Sequence, residues 1–153
     1  MPSTAPADKC LGTMSEAPLD EEEFRRWRDE ADRALEGACL QAEAALHNWA
    51  CFACEQAAQL AVKGLLHGLG LGPWGQDLVA LGRSVDEAGL DVPEPVADSL
   101  RRLSRHYIPA RYPDAHPAGP PGTHYGPTDS ASALEAAGRV LAFVDRTWAR
   151  LRG

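Results

Sequence analysis

The sequence predicts an all-α domain, a four- to five-helix up-and-down bundle with short connections. Three observations predict it. Apolar residues recur at steps of three and four over long stretches. Glycine and proline break that rhythm only in short segments and in one longer one. No stretch shows the apolar–polar alternation of a half-buried strand. The 153 residues suffice for one core, and a hydrophobic content of 44% is ordinary for a globular chain.

Residues 1–19 carry Pro, Ser, Thr, Ala and Gly without periodicity, and read as a flexible N-terminal tail. The helical domain is expected over residues 20–153. Its first helix should span about residues 21–45, because Asp20 to Glu23 place carboxylates where a helix N-terminus carries partial positive charge. Phe24, Trp27, Ala31, Ala34, Leu35, Ala38, Ala42 and Ala45 then fall on one stripe. A turn at His47 and Asn48 should lead into a second helix over about residues 49–69. That helix is apolar on much of its surface, as a central bundle helix is. Gly68, Gly70, Gly72 and Gly75, with Pro73, end it. A shorter third helix, about residues 76–88, turns Leu78, Leu81, Val85 and Ala88 inward and stops at Gly89. Pro93 and Pro95 open a fourth, which carries Val96, Leu100, Leu103 and Tyr107 and should end near Pro109. Residues 109–127 hold six prolines and three glycines, a loop length that in a compact domain is usually functional or disordered. Thr128 is the expected N-cap of the last helix, whose seam is Leu134, Ala137, Leu141, Val144, Trp148 and Leu151.

Composition excludes several classes. No apolar run approaches the ~18–20 residues of a membrane span. No basic segment followed by an apolar stretch opens the chain, so a cytoplasmic setting is expected. Four cysteines occur, Cys10, Cys39, Cys51 and Cys54. The Cys51-x-x-Cys54 pair lies in a helical stretch without a second pair to complete a zinc site, and reads as small apolar packing. Nothing in the sequence requires a metal or an organic cofactor. The net charge of −7 disfavours a nucleic-acid footprint over the whole surface but permits a local one. Residues 101–112 supply such a patch, with four arginines, Tyr107, Tyr112 and no acid.

Two segments carry a family resemblance. Phe52-Ala53-Cys54-Glu55-Gln56-Ala57-Ala58-Gln59-Leu60-Ala61-Val62-Lys63-Gly64-Leu65-Leu66 resembles the F-x-x-Q-Q-A-A-E-x-x-x-K-A-L-L helix of HEPN domains. Glu55 stands where the first Gln is common, and Gln59 where the Glu is common. Gln76-Asp77-Leu78 is similar to the H-D-L opening of the family's next helix, and Arg111-Tyr112-Pro113-Asp114-Ala115 matches its R-Y-P-D-A segment. The resemblance spans about Phe24 to Arg150. It implies an HEPN-like helical bundle that forms a homodimer. It also implies a separately encoded minimal nucleotidyltransferase as partner, in a toxin–antitoxin arrangement. Many members are metal-independent RNases whose R-x(4–6)-H motifs face one cleft across the dimer axis. Others lack the motif and are binding modules.

Two pairs satisfy R-x4-H here: Arg111 with His116 in the proline-rich loop, and Arg101 with His106 on the fourth helix. Cleavage without a metal needs a base for the 2′-hydroxyl proton and an acid for the leaving oxygen, and histidine titrates in the right range. Arginine holds phosphate through parallel hydrogen bonds. Arg111 is therefore assigned to phosphate and His116 to proton transfer, with Tyr112 or Asp114 to orient them. Arg101 and His106 are the secondary candidates. Tyr107, Tyr112, Asp114 and Lys63 are candidate binding residues for RNA or a nucleotide. The bland alternatives stand beside these. Arg111 could anchor its loop to carbonyls or to Asp114, His116 could be a solvated loop residue, and Lys63 could pack its stem along the bundle. Glu55, Gln56 and Gln59 read as a polar network that fixes helix packing. An RNase and a catalytically silent nucleotide-binding or protein-interaction module both remain open.

Overall fold

Asp20 caps the first helix, its Oδ1 accepting from the Glu23 N–H at 3.0 Å. The computed structural model describes residues 18–153, and residues 1–17 of the predicted tail, with Cys10, lie outside the described residues. Five helices follow in order: α1 (Glu21–Glu43), α2 (His47–Gly68), α3 (Leu78–Glu87), α4 (Glu94–Ser104) and α5 (Pro127–Arg152). Two single 3₁₀ turns, Pro113–Ala115 and Pro121–His124, lie between α4 and α5. No strand occurs among the described residues, so the all-α bundle expected from the periodicity is the observed architecture.

The centre is α2. It packs antiparallel against α1, and α5 covers another of its faces. Its Ala50, Cys51, Cys54, Ala57, Ala58, Ala61, Val62, Leu65 and Leu66 are all buried, which is why it reads as apolar nearly all round. Cys51 and Cys54 sit in this core, where burial pushes both thiols up to about 12. That is the packing role expected of them. Near its C-terminus α2 comes so close to its neighbours that a Cβ on Gly68 would collide with the Trp148 ring. Beyond it, Gly70 adopts φ 82°, which an L side chain resists, and ends the helix.

Several boundaries differ from expectation. The first turn lies at Ala44–Leu46, and His47 and Asn48 already belong to α2. Ala45 takes φ 63° there, a position where glycine would have announced the turn. The third helix starts at Leu78 because Asp77 accepts from the Val79 and Ala80 N–H groups. The fourth ends at Ser104 and passes through turns to Pro109. The N-cap of α5 is Gly126, not Thr128. Pro127 fits the first helical position, and the Asp129 carboxylate accepts from the Gly126 N–H at 2.7 Å.

Candidate functional site

The segment after α4 folds back over the start of α2. Ala110 is fully buried, and the nearly buried Asn48 amide donates to its carbonyl at 3.0 Å. This bond fixes the backbone immediately before Arg111. The Arg111 Nε then donates to the Tyr107 carbonyl at 2.8 Å. Its guanidinium carbon lies 4.3 Å from the Phe52 ring centre, 4.6 Å from Tyr107 and 4.9 Å from Tyr112. Three rings thus surround one cation at the surface, within the range of favourable cation–π contact. Trp49 extends the aromatic surface by an edge-on contact with Phe52. Among the described residues Arg111 has no carboxylate within ion-pair distance. Asp114, exposed on the first 3₁₀ turn, does not pair with it. Nε serves as the loop anchor, and the two terminal nitrogens keep their donors for a ligand.

His116 shares the loop but not the cage. Its Nε2 lies 2.7 Å from the Pro109 carbonyl. Its ring stacks on His124 with centres 4.3 Å apart and planes 3° from parallel. No hydrogen bond joins it to Arg111. A carbonyl oxygen only accepts, so His116 presents an N–H at Nε2 and keeps Nδ1 as its open nitrogen.

The other R-x4-H pair is not brought together. Arg101 is ion-paired with Glu94 at 2.5 Å and Asp98 at 3.6 Å on the exposed side of α4. His106 turns instead to the Tyr125 hydroxyl at 3.2 Å. Burial holds His106 below its ordinary value of 6.5; Asp129 opposes this and Arg105 adds to it. Folding favours the neutral imidazole, so its contribution is complete above the unfolded pKa and is lost as pH falls through that value. Urea midpoints measured at about pH 7.5 and about pH 5.5 should differ more in the wild type than in His106→Gln. Equal differences in the two proteins would contradict this account of His106.

Behind the cage lies the polar network of α2. Glu55 is fully buried. Its two oxygens accept from the Gln56 amide at 2.7 Å and the Gln59 amide at 2.6 Å. Gln59 also donates to the Gln76 carbonyl at 3.1 Å, which ties α2 to the connection before α3. Burial raises the Glu55 carboxyl above its usual range, against the pull of the two amides and of the Arg111 and Lys63 charges. Lys63 is half-buried, its ammonium lowered by burial and raised by Glu55. It reaches the site only through that field.

Sequence reasoning missed Phe52 and Asn48 as parts of the site. Phe52 opens the motif helix, and Asn48 is a polar group in an apolar stretch. Neither signal tells which distant loop they meet. Among the described residues no group of three or more His, Cys, Asp and Glu side chains is arranged to hold a metal.

The HEPN domain family model matches residues 24–147. The chain belongs to the HEPN domain family. Solved structures agree with that membership. TT1696 from Thermus thermophilus is 40% identical with a TM-score of 0.78, over 81% of this chain and 97% of that one. ST0689, an archaeal HEPN homologue, is 30% identical with a TM-score of 0.68, over 80% and 94%. An HEPN domain protein of Thermotoga maritima is 26% identical with a TM-score of 0.66, over 82% and 98%. No curated protein is significantly similar to the chain. In this HEPN domain the R-Y-P-D-A segment is the element that carries the aromatic cage.

Proposed function

We propose that this HEPN domain binds a nucleotide or a short single-stranded RNA at Arg111. The observation that carries the reading is a guanidinium without a carboxylate partner, held at the surface among Phe52, Tyr107 and Tyr112. Its terminal N–H groups suit a phosphate, and the neighbouring rings offer faces on which bases stack. The net charge of −7 gives no long-range attraction. Binding should therefore be modest, on the order of 10–100 µM, and weakened by salt. A cytoplasmic setting belongs to the same proposal, in keeping with the free thiols of Cys39, Cys51 and Cys54. The test is fluorescence anisotropy of a labelled oligouridylate of about eight nucleotides, with AMP and ATP as competitors. A flat titration with every one of them would sink the reading.

The second reading adds chemistry. Two copies of the domain would form a metal-independent RNase, Arg111 holding the phosphate and His116 moving the proton. A separately encoded nucleotidyltransferase would then be the partner that restrains it. Exposed apolar side chains favour it, Tyr112 in the cage, Trp49 against Phe52, and Leu46 and Ile108 in the adjoining sequence, because a homodimer would cover them. Under this reading the protein elutes as a dimer and cleaves RNA with EDTA present, and His116→Ala does not cleave.

A further inference from the structure

Glu55 is a fully buried carboxylate with no cation at ion-pair distance among the described residues. Two amides satisfy its oxygens. The orientation of the second is fixed, because Gln59 Nε2 also meets the Gln76 carbonyl, which can only accept. With Gln56 donating to the other oxygen, both Glu55 oxygens act as acceptors, the arrangement that suits the ionised form, while burial opposes that form. A buried charge needs compensation. The cations whose fields reach it are Arg111, from the loop after α4, and Lys63, from its own helix. The geometry agrees: the Arg111 guanidinium lies over Phe52, and Phe52 and Glu55 are neighbours at i and i+3 on α2.

We propose that Glu55 is the through-space counter-charge of Arg111, and that its charge weakens anion binding at the cage. The proposal rests on the Arg111 site described above. Glu55 touches no ligand; it acts through the potential at Arg111.

Glu55→Gln keeps the shape and removes the charge. It should bind the labelled oligouridylate about fivefold more tightly than the wild type, the effect of removing one opposite charge beyond contact distance in a partly screened interior. Glu55→Gln/Gln59→Glu restores the total charge but moves it away, and should bind with intermediate affinity. Folded Glu55→Gln protein with unchanged or weaker binding overturns the proposal, provided that Arg111→Ala has lowered it. If Arg111→Ala leaves binding untouched, the cage reading has failed instead. A ligand-free measurement covers variants that do not fold and probes that do not bind. The carbon-13 titration of the Glu55 carboxyl should shift upward in Arg111→Gln, because the lowering field of Arg111 is removed. An unshifted titration overturns the proposal whether or not RNA binds.

Discussion

Arg111→Ala should lower affinity for the labelled oligouridylate at least about tenfold while the helical circular dichroism is retained. A charge-assisted hydrogen bond contributes about 1.5–3 kcal/mol, and the substitution removes the guanidinium that would make it. It also removes the cation that orders the Phe52, Tyr107 and Tyr112 rings. The fold should survive because Ala110 stays held by Asn48. Arg111→Lys separates charge from geometry. It keeps the cation but loses the planar fork and the stacking, so it should fall between the wild type and the alanine variant. The dependence of log affinity on log salt should flatten by about one unit in Arg111→Ala. Equal affinity in the two proteins would remove Arg111 from the site.

Trp148→Ala should give the largest loss of stability, about 3–5 kcal/mol. The ring is buried and stacks on Phe24 with centres 4.0 Å apart and planes 3° from parallel. Its Nε1 donates to Glu21 at 2.9 Å. Its edge fills the notch left by Gly68. It therefore joins the N-terminus of α1, the C-terminus of α2 and the last turns of α5. In a domain of this size the loss corresponds to a fall of roughly 10 °C in Tm. Trp148→Phe keeps part of the stack and should lose less than half as much. The Arg111 cage lies about 24 Å away along α2, judged from the rise between Phe52 and Gly68. Ligand affinity well below the melting range should therefore be unaffected. A Tm within a degree or two of the wild type would contradict this packing account.

The helices were legible because their cores repeat at steps of three and four, and because Asp20, Pro95, Gly70 and Gly89 mark ends by known backbone rules. The turn at Ala45 was not, since alanine gives no sign that it will take a positive φ. The start of α5 was displaced because Thr128 is a good cap by type, whereas the deciding contact is Asp129 reaching back to Gly126. Much the same division holds at the site. The Arg-Tyr-Pro-Asp-Ala segment stood out as a motif, and Glu55 stood out as an acid on an apolar helix. What the motif could not reveal was tertiary. Phe52 lies under Arg111, Asn48 holds Ala110, and the stacked His124 flanks His116. The first two join residues far apart in sequence and depend on how the loop folds back on α2, and the third depends on how the loop folds on itself. The motif match ranked Arg111 with His116 above Arg101 with His106, but spacing alone gave both pairs the same form. The ion pairs of Arg101 and the turn of His106 toward Tyr125 separate them.

The central claim is that ligand meets the chain at the aromatic cage. Nuclear magnetic resonance titration with the unlabelled oligouridylate tests it most directly. The account predicts shifts concentrated at the Arg111 side-chain Nε–H and at the rings of Phe52, Tyr107 and Tyr112. Shifts confined to the groove between α3 and α4, at Arg83 and Arg101 for example, with Arg111 unmoved, would contradict it.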